Sequence, residues 1–265
     1  MIKEEFEKNG VVLLKNVFLD SEIETIRNKY DLLNNSIEGL DDTKTEPLVV
    51  FWKHVVGETK RTLRLSKFPE LHEFILHNII PILTKNFPDL ERLQLLECII
   101  FNKPAQISNK LNWHQDVAYF PLKPNNQIAV WLPFEPVNEN RGAMQYALGS
   151  HKIGAMGSTN LHTRQPFEGE KRPLIPEDPS KEGFEVKIFD MNHNDLLIHD
   201  GYTWHQSGPN IEQGHTRRGL SIRFITTKTV FDPRPGQGAS FTKQIQVEKG
   251  EPIPEIGPFP VLFKR

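Results

Sequence analysis

From about Leu93 onward the chain never sustains a helical apolar period for ten residues. Short apolar or alternating runs at 94–102, 111–117, 127–135, 143–148, 184–189, 195–199, 202–206 and 217–227 sit between Pro, Gly and Asn clusters instead. A strand of this length buries one face and stops at a turn residue, so runs at this spacing predict a sandwich or barrel. Alternating β-α-β units need a helix between strands, and none is encoded there.

The first third reads differently, as helical with short extended pieces. Val11 to Leu14 follows Gly10 as a short apolar run and predicts an edge strand. Ser21-x-x-Glu24 has the form of a capping box, and Ile23, Ile26, Tyr30 and Leu33 follow at helical spacing, so 21–34 predicts a helix. Asn34 to Thr45 is polar and reads as a loop. Leu71, Phe74, Ile75, Ile79 and Leu83 predict a second helix over 69–83, with Pro81 kinking or restarting it. Lys152 to Gly183 carries four prolines and both signs of charge; a loop of that length is functional or disordered. The tail after Val230 is rich in Pro and Gly and predicts a surface wrap.

The sharpest local feature is Trp113-His114-Gln115-Asp116. On a strand, residues two apart point the same way, so His114 and Asp116 present an imidazole and a carboxylate on one face. Asp195 to Asn210 supplies a further strand-borne histidine before Ser-Gly-Pro-Asn, which is turn chemistry. Two imidazoles and one carboxylate form a facial triad that leaves coordination positions open, the arrangement used by non-haem Fe(II) oxygenases for co-substrate and O2. In Arg217 to Phe224, Leu220, Ile222 and Phe224 share one face and Arg217, Gly219, Ser221 and Arg223 the other. The apolar face predicts packing on helices and the polar face a cavity lining. An arginine there requires an anion, and a dicarboxylate co-substrate supplies one.

Composition removes competing classes. A single cysteine permits no intramolecular disulfide and no four-thiolate metal site. Net charge −2 and pI ≈ 6.6 give no basic field for nucleic acid or an anionic membrane. No run of about 18 apolar residues exists. The acidic N-terminus carries no secretion signal and Leu-Phe-Lys-Arg is no peroxisomal tripeptide, so the expected location is cytoplasmic.

Taken together, Trp113-His-Gln-Asp-Val-Ala-Tyr-Phe-Pro121, Val130-Trp-Leu-Pro133, Asn140 to Lys152, His205-Gln-Ser-Gly-Pro-Asn210 and Arg217 to Phe224 resemble the phytanoyl-CoA dioxygenase family of Fe(II)/2-oxoglutarate oxygenases. The resemblance implies a double-stranded β-helix, a jelly roll of cupin type, with N-terminal helices packed on its larger sheet. It implies one domain over 1–265: mostly helical support to 92, a jelly-roll core over 93–228 with a 152–183 insert, and a C-terminal extension. Carried over position by position, His114, Asp116 and His205 match the iron ligands. Arg217 matches the residue that clamps the distal carboxylate of 2-oxoglutarate; Ser207 and Trp131 match positions against the co-substrate, and Gln115 one close to the metal. His205 to Arg217 is one residue longer than the common spacing, which makes Arg218 a rival clamp; Gly219 and Ser221 share the face of Arg217 and favour it. Ala147-Leu148-Gly149-Ser150-His151 lacks the family's usual proline in that turn.

The implied activity is oxidation of a small-molecule substrate with release of succinate and CO2, by a monomer or homodimer. An aspartate at 116 favours hydroxylation over halogenation, because a halogenase leaves that coordination position open for chloride. A jelly roll holding another divalent ion, acting as an isomerase or hydrolase, would leave Arg217 and Trp131 without a role, and an inactive binding module would carry an altered triad. The remaining histidines read as structural or surface residues: His199 as a packed decoy six residues before His205, His151 as part of a turn, His54, His72 and His77 in or near helices, and His162, His193 and His215 in loops. Cys98 reads as a small buried apolar residue, Arg141 as a surface residue, and Tyr119 and Phe120 as pocket wall. Phe51-Trp52-Lys53 reads equally as core or as the border of the substrate mouth.

Overall fold

A computed structural model describes residues 1–36, 41–53, 59–106, 110–234 and 244–265. His54 lies outside the described residues. The front of the chain runs α1 (Ile2–Asn9), β1 (Val11–Leu14), α2 (Asp20–Ser36), β2 (Leu48–Lys53), β3 (Thr59–Arg64), α3 (Pro69–Phe74) and α4 (Ile80–Asn86). The barrel half runs β4 (Arg92–Lys103), β5 (Leu111–His114), β6 (Leu122–Lys123), β7 (Gln127–Pro133), β8 (Met144–Ala147), β9 (Val186–Ile188), β10 (Leu196–Asp200), β11 (His205–Ser207) and β12 (Arg217–Ile225). β13 (Val230–Phe231) and β14 (Val261–Lys264) close the chain.

The larger sheet has the order β1-β10-β7-β12-β4-β2-β3, with β14 also paired to β4; the smaller has the order β5-β11-β8-β9. From β4 to β12 the chain crosses repeatedly between the two sheets (β4 to β5, β7 to β8, β9 to β10, β10 to β11 and β11 to β12), which is the winding of a double-stranded β-helix. The expected mainly-β jelly roll is therefore the fold. β1 is the edge strand its sequence predicts, with Val11 to Leu14 antiparallel to His199 to Leu196.

The front third is less helical than its periodicity predicts. β2 joins the larger sheet parallel to β4, with β3 antiparallel beyond it. Val49 and Phe51 are core residues, so the first of the two readings for that segment holds for Phe51. The tail also does more than wrap: β14 extends β4, and β13 pairs β6.

Local rules place the helices. α2 buries Ile23, Ile26 and Tyr30 on one stripe. Its box is shifted from the expected one: Glu22, not Glu24, reaches back, accepting from the Leu19 backbone N–H at 2.8 Å. The expected second helix is divided. A π turn, Ile75–Ile79, separates α3 from α4, and Pro81 stands in the first turn of α4. Proline lacks the N–H that would bond the carbonyl of His77, and the wider turn absorbs that misfit. Leu71, Phe74, Ile75, Ile79 and Leu83 still form one buried stripe. It packs in one core with Leu220, Ile222 and Phe224 of β12, the helix-facing side the alternation predicted. Cys98 is buried in the same core.

The 152–183 segment is irregular but pinned by polar contacts. Glu170 accepts from the Ser158 backbone N–H at 2.8 Å and its hydroxyl at 3.0 Å, and from Arg172. Burial pushes the Glu170 carboxyl up, but the Arg172 and Ser158 donors outweigh it and hold the pKa at about 2.

Candidate metal centre

The smaller sheet brings the two expected histidines together. β5 and β11 run antiparallel with His114 and His205 as direct partners, and their ring centroids lie 4.2 Å apart. The chain does not continue as a strand to Asp116, as the simple alternation argument required. β5 ends at His114, Gln115 stays extended, and Asp116 opens a 3-10 turn, Asp116–Tyr119. The carboxylate nonetheless arrives beside the imidazoles, with Oδ1 3.7 Å from His205 Nε2. One ligand atom from each of His114, Asp116 and His205 lies within 4.8 Å of the others, and all three residues are buried.

Hydrogen bonding fixes which nitrogens are available. His114 Nδ1 lies 2.7 Å from the Asn112 carbonyl and His205 Nδ1 2.9 Å from the Thr203 carbonyl. A carbonyl oxygen only accepts, so each Nδ1 carries the proton and each Nε2 keeps its lone pair. Burial keeps both rings neutral, lowering the His114 pKa to about 4 and holding His205 well below the usual histidine range, the latter with help from His114. Neutral imidazoles with a free Nε2 are the metal-ligating form. Tyr146 stacks on His205 at 5.6 Å and 25°.

Asp116 is held at both oxygens. His199 Nε2 lies 3.2 Å from Oδ2, and Arg223 Nη2 2.8 Å from Oδ1. Burial alone would raise its pKa; Arg223, His205 and His199 reverse that and hold the carboxyl well below the usual range. The ionised carboxylate only accepts, so His199 Nε2 carries a proton, and its Nδ1 lies 3.2 Å from the Tyr146 hydroxyl. Arg223 also pairs Glu97 at 2.9 Å. His199 is thus more than a packed histidine, and Arg223 more than a polar-face residue. The sequence holds a signal for Arg223, its parity with Arg217 on β12; the contact to Asp116 exists only through the fold.

The second half of the site is cationic. Arg217 is buried on the inner face of β12, its guanidinium 4.8 Å from the Trp131 ring, with Nη2 donating to the Gly142 carbonyl at 2.8 Å. Burial lowers its pKa to about 10, which leaves it charged at neutral pH. Ser207, Trp131, Arg217, Ser221, His114 and His205 line one internal cavity. Arg217 Nε and Trp131 Nε1 are buried without a hydrogen-bond partner among the described residues. Two orphaned donors and a cation beside three metal-ligating atoms fit a chelating dicarboxylate. Arg218 points the other way and is pinned by Glu135 at 2.8 Å and by Asp31. Alternation therefore separates the two arginines as the sequence reading favoured.

Gln115 is not brought into that cavity. Its amide donates to the Gly154 and Tyr202 carbonyls at 2.7 Å, and its carbonyl accepts from Met156 N–H, so it braces two loops beside His114 and Asp116. Tyr119 borders the site, its ring 6.1 Å from that of His114. Phe120 belongs instead to a separate core with Leu96, Leu122, Ile225 and Phe259. His151 lies near the α1 end, 3.2 Å from the Glu7 carbonyl, His77 pairs Glu73, His193 pairs Asp20, and Arg141 pairs Glu212.

A family model described as phytanoyl-CoA dioxygenase (PhyH) matches residues 6–219. The peroxisomal phytanoyl-CoA dioxygenase of Bos taurus is 24% identical over 228 residues, which cover 83% of this chain and 66% of that protein. The chain thus spans just under two thirds of the length of that relative. The epimerase SnoN, solved with Fe3+, alpha ketoglutarate and nogalamycin RO, superposes with a TM-score of 0.71 at 16% identity, covering 99% of this chain and 97% of SnoN. The carbocyclase SnoK from nogalamycin biosynthesis superposes with a TM-score of 0.71 at 18% identity, covering 99% and 95% of the two chains. At these identities the two structures establish the shared fold.

Proposed function

The chain belongs to the phytanoyl-CoA dioxygenase family, and from that premise we propose that it is an Fe(II)- and 2-oxoglutarate-dependent dioxygenase that hydroxylates a small molecule. The observation that carries this reading is the convergence of His114, Asp116 and His205 on one buried point with the orphaned Arg217 Nε in the same cavity. His114 and His205 offer Nε2, and Asp116 offers a carboxylate oxygen already charged and oriented. Arg217 pairs the distal carboxylate of 2-oxoglutarate, with Trp131 beneath the guanidinium and Ser207 beside it. Iron bound there supplies the oxidation chemistry, coupling decarboxylation of 2-oxoglutarate by O2 to oxidation of substrate. The protein's part is to orient these groups and exclude water, which the burial of all three ligands achieves. Tyr119, which packs edge-on to His114 and to Phe167 of the 152–183 segment, supports the reading of that side as the wall of the substrate pocket. Hydroxylation is the outcome that a complete triad with Asp116 favours.

Anaerobic addition of Fe(II) and 2-oxoglutarate should give the weak visible charge-transfer band of the chelate, and His114→Ala should lose it. Persistence of the band in that variant would overturn the ligand assignment. Arg217→Ala removes a charge-assisted hydrogen bond and should raise the 2-oxoglutarate KM about 10- to 100-fold. Arg218→Ala should leave it near wild type; the reverse pattern would show that the clamp is Arg218. Screening small molecules for succinate release, then for one added oxygen in the product, tests hydroxylation against other oxidations.

A further inference from the structure

Lys103 is directly opposite Arg217 across the β12–β4 pair, and its side chain is fully buried. Like charges facing each other across strands are unfavourable, and in a buried position the cost is larger. Among the described residues no ion pair joins a carboxylate to either cation. Six residues along the same two strands, Arg223 opposite Glu97 shows how the fold neutralises a buried arginine when it has a carboxylate to offer. At the Arg217 end it offers a second cation instead.

The lysine does not line the cavity; it stands behind a residue that does. Its Nζ donates to Ser207 Oγ at 3.0 Å and to the Gly208 carbonyl. Gly142 closes over both groups: a Cβ at that position would lie 3.3 Å from Lys103 Cδ and 2.9 Å from the Gly208 carbonyl, and its own carbonyl accepts from Arg217. A charged Lys103 has donors only, so Ser207 Oγ then accepts from it and the serine's own proton turns elsewhere. The side of Ser207 that remains open is the cavity shared with Arg217.

We propose that Lys103 is a positioning residue for the carboxylate that Arg217 binds: it commits the Ser207 hydroxyl to donate to that carboxylate and adds the second positive charge at that end of the cavity. This rests on the 2-oxoglutarate reading given above. Burial, then Arg217, push the Lys103 pKa well below the usual lysine range, so an anion bound at Arg217 in the cavity relieves an electrostatic cost already present.

The test is calorimetric binding of 2-oxoglutarate and of pyruvate, which lacks the distal carboxylate, to the Fe(II)-loaded protein without O2. Lys103→Met should weaken 2-oxoglutarate binding about 10- to 100-fold and leave pyruvate within about threefold. The KM for 2-oxoglutarate should rise in step, with kcat at saturation little changed. Lys103→Gln keeps a donor for the Gly208 carbonyl; should the Met variant fail to fold, it carries the same comparison. Combining Lys103→Met with Ser207→Ala should cost little more than Lys103→Met alone, because the lysine acts through the serine. Wild-type affinity for 2-oxoglutarate in either lysine variant, an equal loss for pyruvate, or fully multiplicative penalties would overturn the proposal. Wild-type protein that binds pyruvate and 2-oxoglutarate equally, or neither, would overturn the underlying co-substrate reading instead.

Discussion

At the scale of single residues, the buried histidines carry a pH signature. The ordinary histidine pKa is about 6.5, and burial brings His114 down to about 4. Between those values the unfolded chain binds the proton and the folded metal-free protein does not. Stability of the metal-free protein should therefore fall as pH drops from about 6.5 to about 4, by up to about 1.4 kcal/mol per pH unit for this group. Urea midpoints at pH 7, 6 and 5 measure it, and His114→Gln should flatten the slope. Gly219 is a second residue-scale constraint. A Cβ there would sit 2.6 Å from the Trp131 ring, so Gly219→Ala must displace the indole or β12. The expected cost is about 1–3 kcal/mol of stability, read by denaturation, together with weaker 2-oxoglutarate binding. The sequence named Gly219 as a member of the cavity face but carried no sign that Trp131 pressed on it.

Elements obeyed their patterns where one face alone decided them. β12 shows this most clearly: alternation placed Leu220, Ile222 and Phe224 in the helix-side core and left Arg217, Ser221 and Arg223 inside. The same alternation misdescribed His114 and Asp116, because β5 stops between them and a 3-10 turn completes the approach. β2 was missed for a different reason: a strand that joins a sheet through a parallel pairing with distant β4 has no local turn signal to announce it. The 152–183 segment depends on polar pins, above all Glu170. Glu170→Gln removes the charge behind several bonds and should lower the local opening free energy by about 2 kcal/mol. Faster hydrogen exchange or proteolysis confined to 152–183, with the global unfolding midpoint changed less, is the expected result. Since Phe167 of this segment meets Tyr119, substrate affinity should fall with it.

At the scale of the molecule, the site exists only when both sheets are assembled. His114 and His205 come from neighbouring strands of the smaller sheet, whereas Arg217, Arg223 and Lys103 come from the larger. Ligands that bind this assembled state alone must stabilise it. Fe(II) with 2-oxoglutarate at about 100 times its Kd should add about 2.7 kcal/mol and raise Tm by about 5–10 °C. Thermal scans of wild type and His205→Ala with and without both ligands measure this; the variant should show no shift. No described helix is long and apolar enough to cross a membrane.

What the sequence determined by itself was periodicity and donor chemistry: short alternating runs that must pair into sheets, an imidazole–carboxylate pair at His114 and Asp116, and an arginine whose face could be told from that of its neighbour Arg218. These follow from local rules, since side-chain direction repeats every two residues along a strand. The tertiary structure alone decided which distant groups meet. It set His199 and Arg223 on the two oxygens of Asp116, turned Gln115 away to brace the loops, and placed Lys103 opposite Arg217. Strand register fixes the last of these across 114 positions, from Lys103 to Arg217, and loop and turn packing fixes the others; no local pattern encodes either. The electrostatic character of the site, a buried guanidinium at one end and a charged carboxylate at the other, is set by which residues the fold brings together.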